Sequence, residues 1–272
     1  MTRLSDRVVV VTGAGSGIGR ALALLLADKG ARLALVDVHQ AGLDDTARRV
    51  ADKKPGIHTS LHVVDVADRD AMFALPQQVL DAHGEVDVVV NNAGVTHIGD
   101  FVDMDIDDFR WVVDVNLMGV VHGCKAFLPH LLQRDAAHIV NVSSLFGIVG
   151  VAQQSAYCTS KFAVRGFTSV LWEELKDTNV EVTCVHPAGV ATGIVKNARA
   201  EDGDAQDGIA EAFEKYAQSP EKAAARIVKA IEKNEARVLL AAGSKTTDRV
   251  LRAFPVWGNR LWAKTLGSVL SK

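Results

Sequence analysis

Tyr157 and Lys161 stand four residues apart in a stretch, starting at Gln154, whose apolar residues recur at helical spacing. Positions i and i+4 share one helix face, so the phenol and the ammonium can meet. A phenol with an ordinary pKa of about 10 is a poor base near neutrality, but a neighbouring positive charge favours the phenolate and makes proton transfer feasible. Ser144 lies thirteen residues before the tyrosine, with Ser143 beside it. Taken alone, a Tyr-x3-Lys pair arises often by chance, and two serines can simply end a strand as hydroxyl caps.

A second cluster concerns phosphate. Thr12-Gly13-Ala14-Gly15-Ser16-Gly17-Ile18-Gly19 follows a Val-rich run and leads straight into a helical pattern. Small residues let the backbone approach a pyrophosphate, which free N–H groups and the positive helix end stabilise. No Lys follows Gly19, so a nucleoside-triphosphate loop is disfavoured. Asp37 ends the next Val/Leu run 18 residues after Gly19, near the offset at which a carboxylate accepts the ribose hydroxyls of NAD. It would repel a 2′-phosphate, and neither Ser16 nor Val38 supplies a compensating charge, although Arg20 and Arg32 are near in sequence. NAD is therefore expected rather than NADP.

The elements that must position these residues alternate. Runs at Val8–Thr12, Arg32–Asp37, His58–Val64, Val86–Val90, His138–Ser143, Val180–Val185 and Arg237–Leu240 read as strands. The first are nearly continuous in aliphatics, as parallel strands buried on both faces are. Between them Gly17–Lys29, Ala41–Lys53, Arg69–His83, Asp107–Arg134, Gln154–Asp177 and Pro220–Asn234 read as helices, the last opened by a Ser219-Pro220 cap. Right-handed βαβ crossovers then give a doubly wound α/β sandwich, a Rossmann fold of about seven strands in a single domain over residues 1–244. A lid is expected at about 189–217, its charged part from Arg199 to Asp207 reading as mobile, and a basic amphipathic extension at 245–272.

In combination these residues resemble the short-chain dehydrogenase/reductase family. Thr12-Gly13-x3-Gly17-x-Gly19, Asn91-Asn92-Ala93-Gly94, Ser144, Tyr157-x3-Lys161 and Pro187-Ala188-Gly189 occur in that family's order and spacing, over roughly residues 5 to 242. The resemblance implies that Tyr157 is the acid/base while hydride moves to or from a nicotinamide ring. Lys161 would hold the nicotinamide ribose and lower the Tyr157 pKa, and Ser144 would bind the substrate oxygen. Asn116 resembles the helix Asn that holds a water in a proton relay to Lys161. Asp65 and Val66 would contact adenine; Asn91, Asn92, Ala93 and Gly94 would line the cofactor, as Gly13, Ser16, Gly17, Ile18 and Gly19 do in the first turn. Pro187, Val190 and Thr192 match positions near the nicotinamide. Where the family usually has Gly directly after that proline, this chain has Ala188. The family commonly forms dimers or tetramers through its two long helices, here Asp107–Arg134 and Gln154–Asp177.

Composition limits the remaining choices. Of 272 residues, 48% are hydrophobic, and 30 Lys+Arg against 33 Asp+Glu give a formal net charge of −3, which supplies no protein-wide basic field for nucleic acid. Cys124, Cys158 and Cys184 are odd in number and unpaired in spacing, the nine histidines are scattered, and no metal site is expected. The first residues carry no apolar signal core, so a cytoplasmic protein is expected. Val95–Phe101, Leu145–Gln153 and Gly189 to about Ala217 should border the substrate, and the apolar run after Ser144 hints at a hydrophobic one. In the extension, six Lys or Arg accompany one acid, Asp248, among Leu251, Phe254, Val256, Trp257, Leu261, Trp262 and Leu266. Docking on the pocket or another subunit is the favoured reading for it, contact with an anionic membrane surface the lesser one. Together the residues point to an NAD-dependent oxidoreductase interconverting a secondary alcohol and a ketone. An NADPH-preferring carbonyl reductase and an NAD(H)-sensing protein without turnover are the alternatives.

Overall fold

The computed structural model describes residues 2–195, 198–200, 217–240 and 243–270, with side chains as far as Trp262 in the last helix. Seven parallel strands form the main sheet: β1 (Val8–Thr12), β2 (Arg32–Asp37), β3 (Thr59–Val63), β4 (Val88–Asn91), β6 (Ala137–Val142), β7 (Val180–His186) and β9 (Arg237–Leu239). Their order is β3-β2-β1-β4-β6-β7-β9, so the winding direction reverses between β1 and β4. At that reversal the connections leave to opposite sides, and a crevice opens at the carboxyl ends of the strands.

The central strands are buried because their alternate residues feed two different cores. Val9, Val11, Leu33, Leu35, Val88 and Val90 pack with α1 (Gly17–Asp28), α2 (Gln40–Lys53) and α7 (Pro220–Lys233), through Leu22, Leu26, Leu43, Ile227 and Ile231. Val8, Val10, Ala34, Val36, Val89 and Ile139 face α3 (Arg69–His83), α5 (Gly119–Leu131) and α6 (Ser155–Glu174), through Met72, Leu75, Phe127, Leu131 and Val164. At the base of the crevice-forming pair, buried Asp87 accepts from Val8 N (2.9 Å), Arg7 (2.7 Å) and Arg134 (2.9 Å), tying the starts of β1 and β4 to the end of α5.

Two features differ from the sequence expectation. The helix expected from Asp107 to Arg134 is two helices, α4 (Ile106–Val113) and α5, joined by a π turn over Asp114–Met118. A two-stranded parallel ladder, β5 (His97–Ile98) with β8 (Arg199–Ala200), lies outside the main sheet. It pins the start of the charged stretch expected to be mobile; the rest of that stretch, 201–207, lies outside the described residues. The continuous run Ile106–Leu131 is long and apolar enough to cross a membrane, yet 56% of its most apolar window is buried inside the fold, which accounts for its hydropathy.

The C-terminal segment forms α8 (Ser244–Ala253) and α9 (Pro255–Leu270). Arg237 of β9 holds Asp248 with two bonds of 2.7 Å, Leu251 joins Leu145, Ile148 and Val149 in a small core, and Asn259 pairs with both backbone groups of Gly150. The segment thus docks on the chain that follows Ser144, in line with the favoured sequence reading.

Candidate active site

A cavity of about 760 Å³ opens at the carboxyl ends of the strands, within the usual range for small-molecule and cofactor sites. One half is floored by the glycine turn. Gly13 has φ +66°, and a Cβ there would stand 2.9 Å from Ala93 Cα; Gly17 has φ +49°, and its Cβ would press on Thr192 at 3.0 Å. Only glycine lets the chain turn here with the ends of β1 and β4 and the 192 loop so close. Ser16 caps α1 by position, but its hydroxyl makes no cap bond, so the first turn of the helix presents its N–H groups toward the cavity. This cradle fits a dinucleotide's pyrophosphate.

Asp37 lines the same half, where its carboxylate accepts from Gly15 N (2.8 Å) and His39 N (3.0 Å) and is thereby aimed. The two arginines near it in sequence are engaged elsewhere. Arg20 bonds Thr46, the Gly15 carbonyl and Asp45, while Arg32 bonds Asp6 O, His83 O and Glu85. Asp65, its Oδ1 taken by Ala67 N at 2.9 Å, lines the cavity beside Val66. Asn92, Ala93, Gly94, Ile18, Pro187, Val190 and Thr192 line it too.

Three of the sequence candidates, Gly19, Asn91 and the fully buried Asn116, do not line the cavity. Gly19 packs its α carbon against the Gly13 carbonyl, behind the turn. Asn91 is buried, donating to Asn141 Oδ1 (2.9 Å) and Cys124 Sγ (3.3 Å) in a polar pocket under the sheet, and Asn141 continues this chain to Thr168.

In the other half Ser144, Tyr157 and Lys161 meet. Ser144 Oγ accepts from Phe146 N (3.1 Å), which caps the short turn Leu145–Gly147 and leaves the hydroxyl proton to be donated. Its carbonyl accepts from His186 Nδ1 at 3.0 Å, so that buried histidine fixes the backbone of the serine. Ser143, the neighbour, is committed to Lys161 O at 2.8 Å. Burial pushes the Tyr157 phenol up to about 12, against which the hydrogen bond with Ser144 works. Burial pushes the Lys161 ammonium down to about 8; its Nζ donates to Val142 O (3.0 Å) and lies 5.6 Å from the centre of the Tyr157 ring. Asn116 sits in the π turn with its amide bonded to Val95 N (2.8 Å), Val95 O (2.9 Å) and Ser160 Oγ (3.1 Å).

The remaining walls are apolar, with Val95, Ile98, Trp111, Leu145, Phe146 and Trp262 among them. Phe146 stands edge-on to both Tyr157 (6.1 Å) and Trp262 (6.2 Å). Thr96 and Gln154 bring a polar spot, joined to each other at 2.8 Å. Sequence reasoning stopped one residue short of Gln154 and did not single out Trp111, Trp262 as a cavity residue, or His186. The one available signal for His186 was a histidine at the end of a buried strand, which needs a partner. Arg199, ion-paired with Asp108 at 2.6 Å, lies 3.9 Å above the Trp111 ring and fastens the lid-side ladder to the pocket wall.

The family model for short chain dehydrogenases matches residues 7–203. A Mycobacterium tuberculosis relative named "Putative oxidoreductase SadH" is 44% identical over 256 residues, covering 93% of this chain and 92% of its own. A short chain dehydrogenase/reductase from Burkholderia phymatum, solved in complex with NAD, superposes with a TM-score of 0.86 at 31% identity, covering 93% of this chain and 95% of its own. An alcohol dehydrogenase from the archaeon Thermococcus sibiricus, solved with 5-hydroxy-NADP, gives 0.73 at 26% identity, covering 86% and 94%. The chain belongs to the short-chain dehydrogenase/reductase family, as an oxidoreductase that works with a nicotinamide dinucleotide.

Proposed function

We propose that the protein interconverts a secondary alcohol and a ketone with NAD, on an apolar substrate, with Tyr157 as acid/base. The observation that carries this reading is the meeting of Tyr157, Ser144 and Lys161 on one wall of the cavity whose opposite half is the glycine turn. The bound nicotinamide dinucleotide supplies or takes the hydride at the carbinol carbon. Ser144 donates its hydroxyl proton to the substrate oxygen, the donation left open by its acceptance from Phe146 N. Tyr157, neutral at physiological pH because burial holds its pKa high, gives its proton to that oxygen in ketone reduction. For alcohol oxidation it must first ionise, and the positive charges of Lys161 and the oxidised cofactor favour that.

Lys161 also reaches toward Gly94 and Asn116, beside the cofactor half. Asn116 has committed its amide to Val95 and Ser160, so its side chain is not left free to hold a relay water. Gly13, Ser16, Gly17, Ile18, Asp65, Val66, Asn92, Ala93, Gly94, Pro187, Val190 and Thr192 hold the cofactor; Gly19 and Asn91 act behind the wall, as packing for the turn and for β4. The preference for NAD rests on the carboxylate of Asp37, with Arg20 and Arg32 both engaged elsewhere. The apolar walls and the lack of a Lys or Arg in Leu145–Ala152 support a lipophilic alcohol. We assign the protein to the cytoplasm, and to a homodimer or homotetramer through α5 and α6, where Met118 next to α5 and Phe162 and Val170 on α6 are exposed.

Three outcomes test this reading. In steady-state assays of secondary-alcohol oxidation, Tyr157→Phe lowers kcat by roughly 100-fold or more while NADH fluorescence still reports binding; full turnover in the variant contradicts the role. Asp37→Ser lowers kcat/KM with NAD relative to NADP, and an unchanged ratio overturns the cofactor assignment. Lys161 in the folded chain releases its proton near pH 8, well before it does so unfolded, so the unfolded chain binds more protons above that value and stability rises with pH there. Lys161→Met therefore melts at a higher temperature than the parent below about pH 8, the gap closing as pH rises, while turnover is lost.

A further inference from the structure

We propose that the turn between α8 and α9 docks on an anionic lipid surface. One face of this helix pair is spent on the pocket: Leu251 and Trp262 enter the core beside Leu145–Val149, and Asn259 holds Gly150. The other face is turned outward. Phe254, Val256 and Trp257 are 60%, 66% and 60% exposed, consecutive around the turn with Pro255, and Phe254 and Trp257 stand edge-on at 6.0 Å as a preformed aromatic pair. A tight cluster of large exposed apolar groups marks an interaction site rather than ordinary surface, and tryptophan suits the headgroup layer of a bilayer, where its ring is half wet and half apolar.

Charge selects the partner. Lys245, Arg249, Arg252 and Arg260 are exposed on the same two helices, and Asp248 is the one acid from 245 to 272. That carboxylate is held by Arg237 of β9, which supports it from inside the fold, and Arg252 shares it at 3.3 Å. A basic, aromatic tip on a chain whose net charge is −3 is complementary to a negatively charged headgroup layer, toward which each nearby Lys or Arg adds attraction. Trp257 lies five residues before the cavity residue Trp262 on α9, about 7.5 Å along the helix axis, so docking would set the pocket wall close to the bilayer. The docking does not depend on which reaction the site performs.

The test is co-sedimentation of the full-length protein with phosphatidylcholine vesicles with and without phosphatidylglycerol. Docking predicts pelleting with the phosphatidylglycerol vesicles only, weakening as salt is raised. Two variants, Phe254→Ser/Trp257→Ser and Arg249→Glu/Arg260→Glu, should each lower the partition coefficient about tenfold or more, with NADH binding and melting temperature matching the parent. The charge-reversed variant alters exposed side chains alone and keeps the test open should the aromatic one fail to fold. No pelleting of the parent, or unchanged pelleting of the folded variants, overturns the proposal. So does a parent that ignores vesicles but loses self-association on Phe254→Ser/Trp257→Ser in sedimentation velocity, which would assign the face to a second copy of the chain.

Discussion

The hydroxyl of Thr12 at the end of β1 accepts from the backbone N–H groups of both Asn92 (2.9 Å) and Ala93 (3.0 Å) at the end of β4. That closure holds the glycine turn against the Asn92–Gly94 turn at the one place where the sheet reverses its winding. Asn92 returns the contact, its Nδ2 donating to Thr12 O at 2.9 Å. Both halves of the cavity depend on it. Remove the closure and the α1 N-terminus no longer faces the loop that carries Gly94, whose α carbon leaves Lys161 and Asn116 just enough room. The βαβ winding makes the neighbourhood of β1 and β4 unavoidable, and the absence of side chains at Gly13 and Gly17 makes it close.

The site also bears a cost that ordinary cores avoid. A lysine 3% exposed donates to a single carbonyl and stacks near a phenol, with no carboxylate partner among the described residues. Burying a cation in this way opposes folding, and the depressed pKa of Lys161 is the measure of it. Two dense cores sharing one sheet support the expense. In the proposed reading the same poorly solvated ammonium, beside an oxidised cofactor, would favour the Tyr157 phenolate, so the destabilising arrangement and the proposed chemistry share one cause.

Much of this was legible in the residues. Nearly continuous aliphatic runs located the central strands, because strands buried on both faces leave no polar alternation to confuse, while the edge strands β3 and β9 are more polar and half-exposed; the Gly turn and the Tyr157/Lys161 spacing marked the two halves of the candidate site. What escaped was set by contacts distant in sequence. The π turn at Asp114–Met118 leaves apolar periodicity nearly intact, since it adds one residue to a helix that stays helical on both sides. β5 and β8 are two residues each, too short for a pattern. Asn91 and Asn92 read alike in sequence, yet strand alternation points the first under the sheet and the second at the cavity. Trp262 reaches the pocket from a helix that Asn259 anchors on Gly150, more than a hundred residues earlier.

The central claim, that the Tyr157 phenol is the ionising group of the site, is open to direct titration because the chain has only two tyrosines. Ultraviolet difference spectra of the parent against Tyr157→Phe, taken with and without saturating NAD, isolate its phenolate band. The account predicts ionisation only in strongly alkaline solution for the free protein, near the value of about 12 that burial imposes, and a shift toward neutrality when the positively charged cofactor is bound. A Tyr157 band that titrates at the same pH with and without NAD would contradict it.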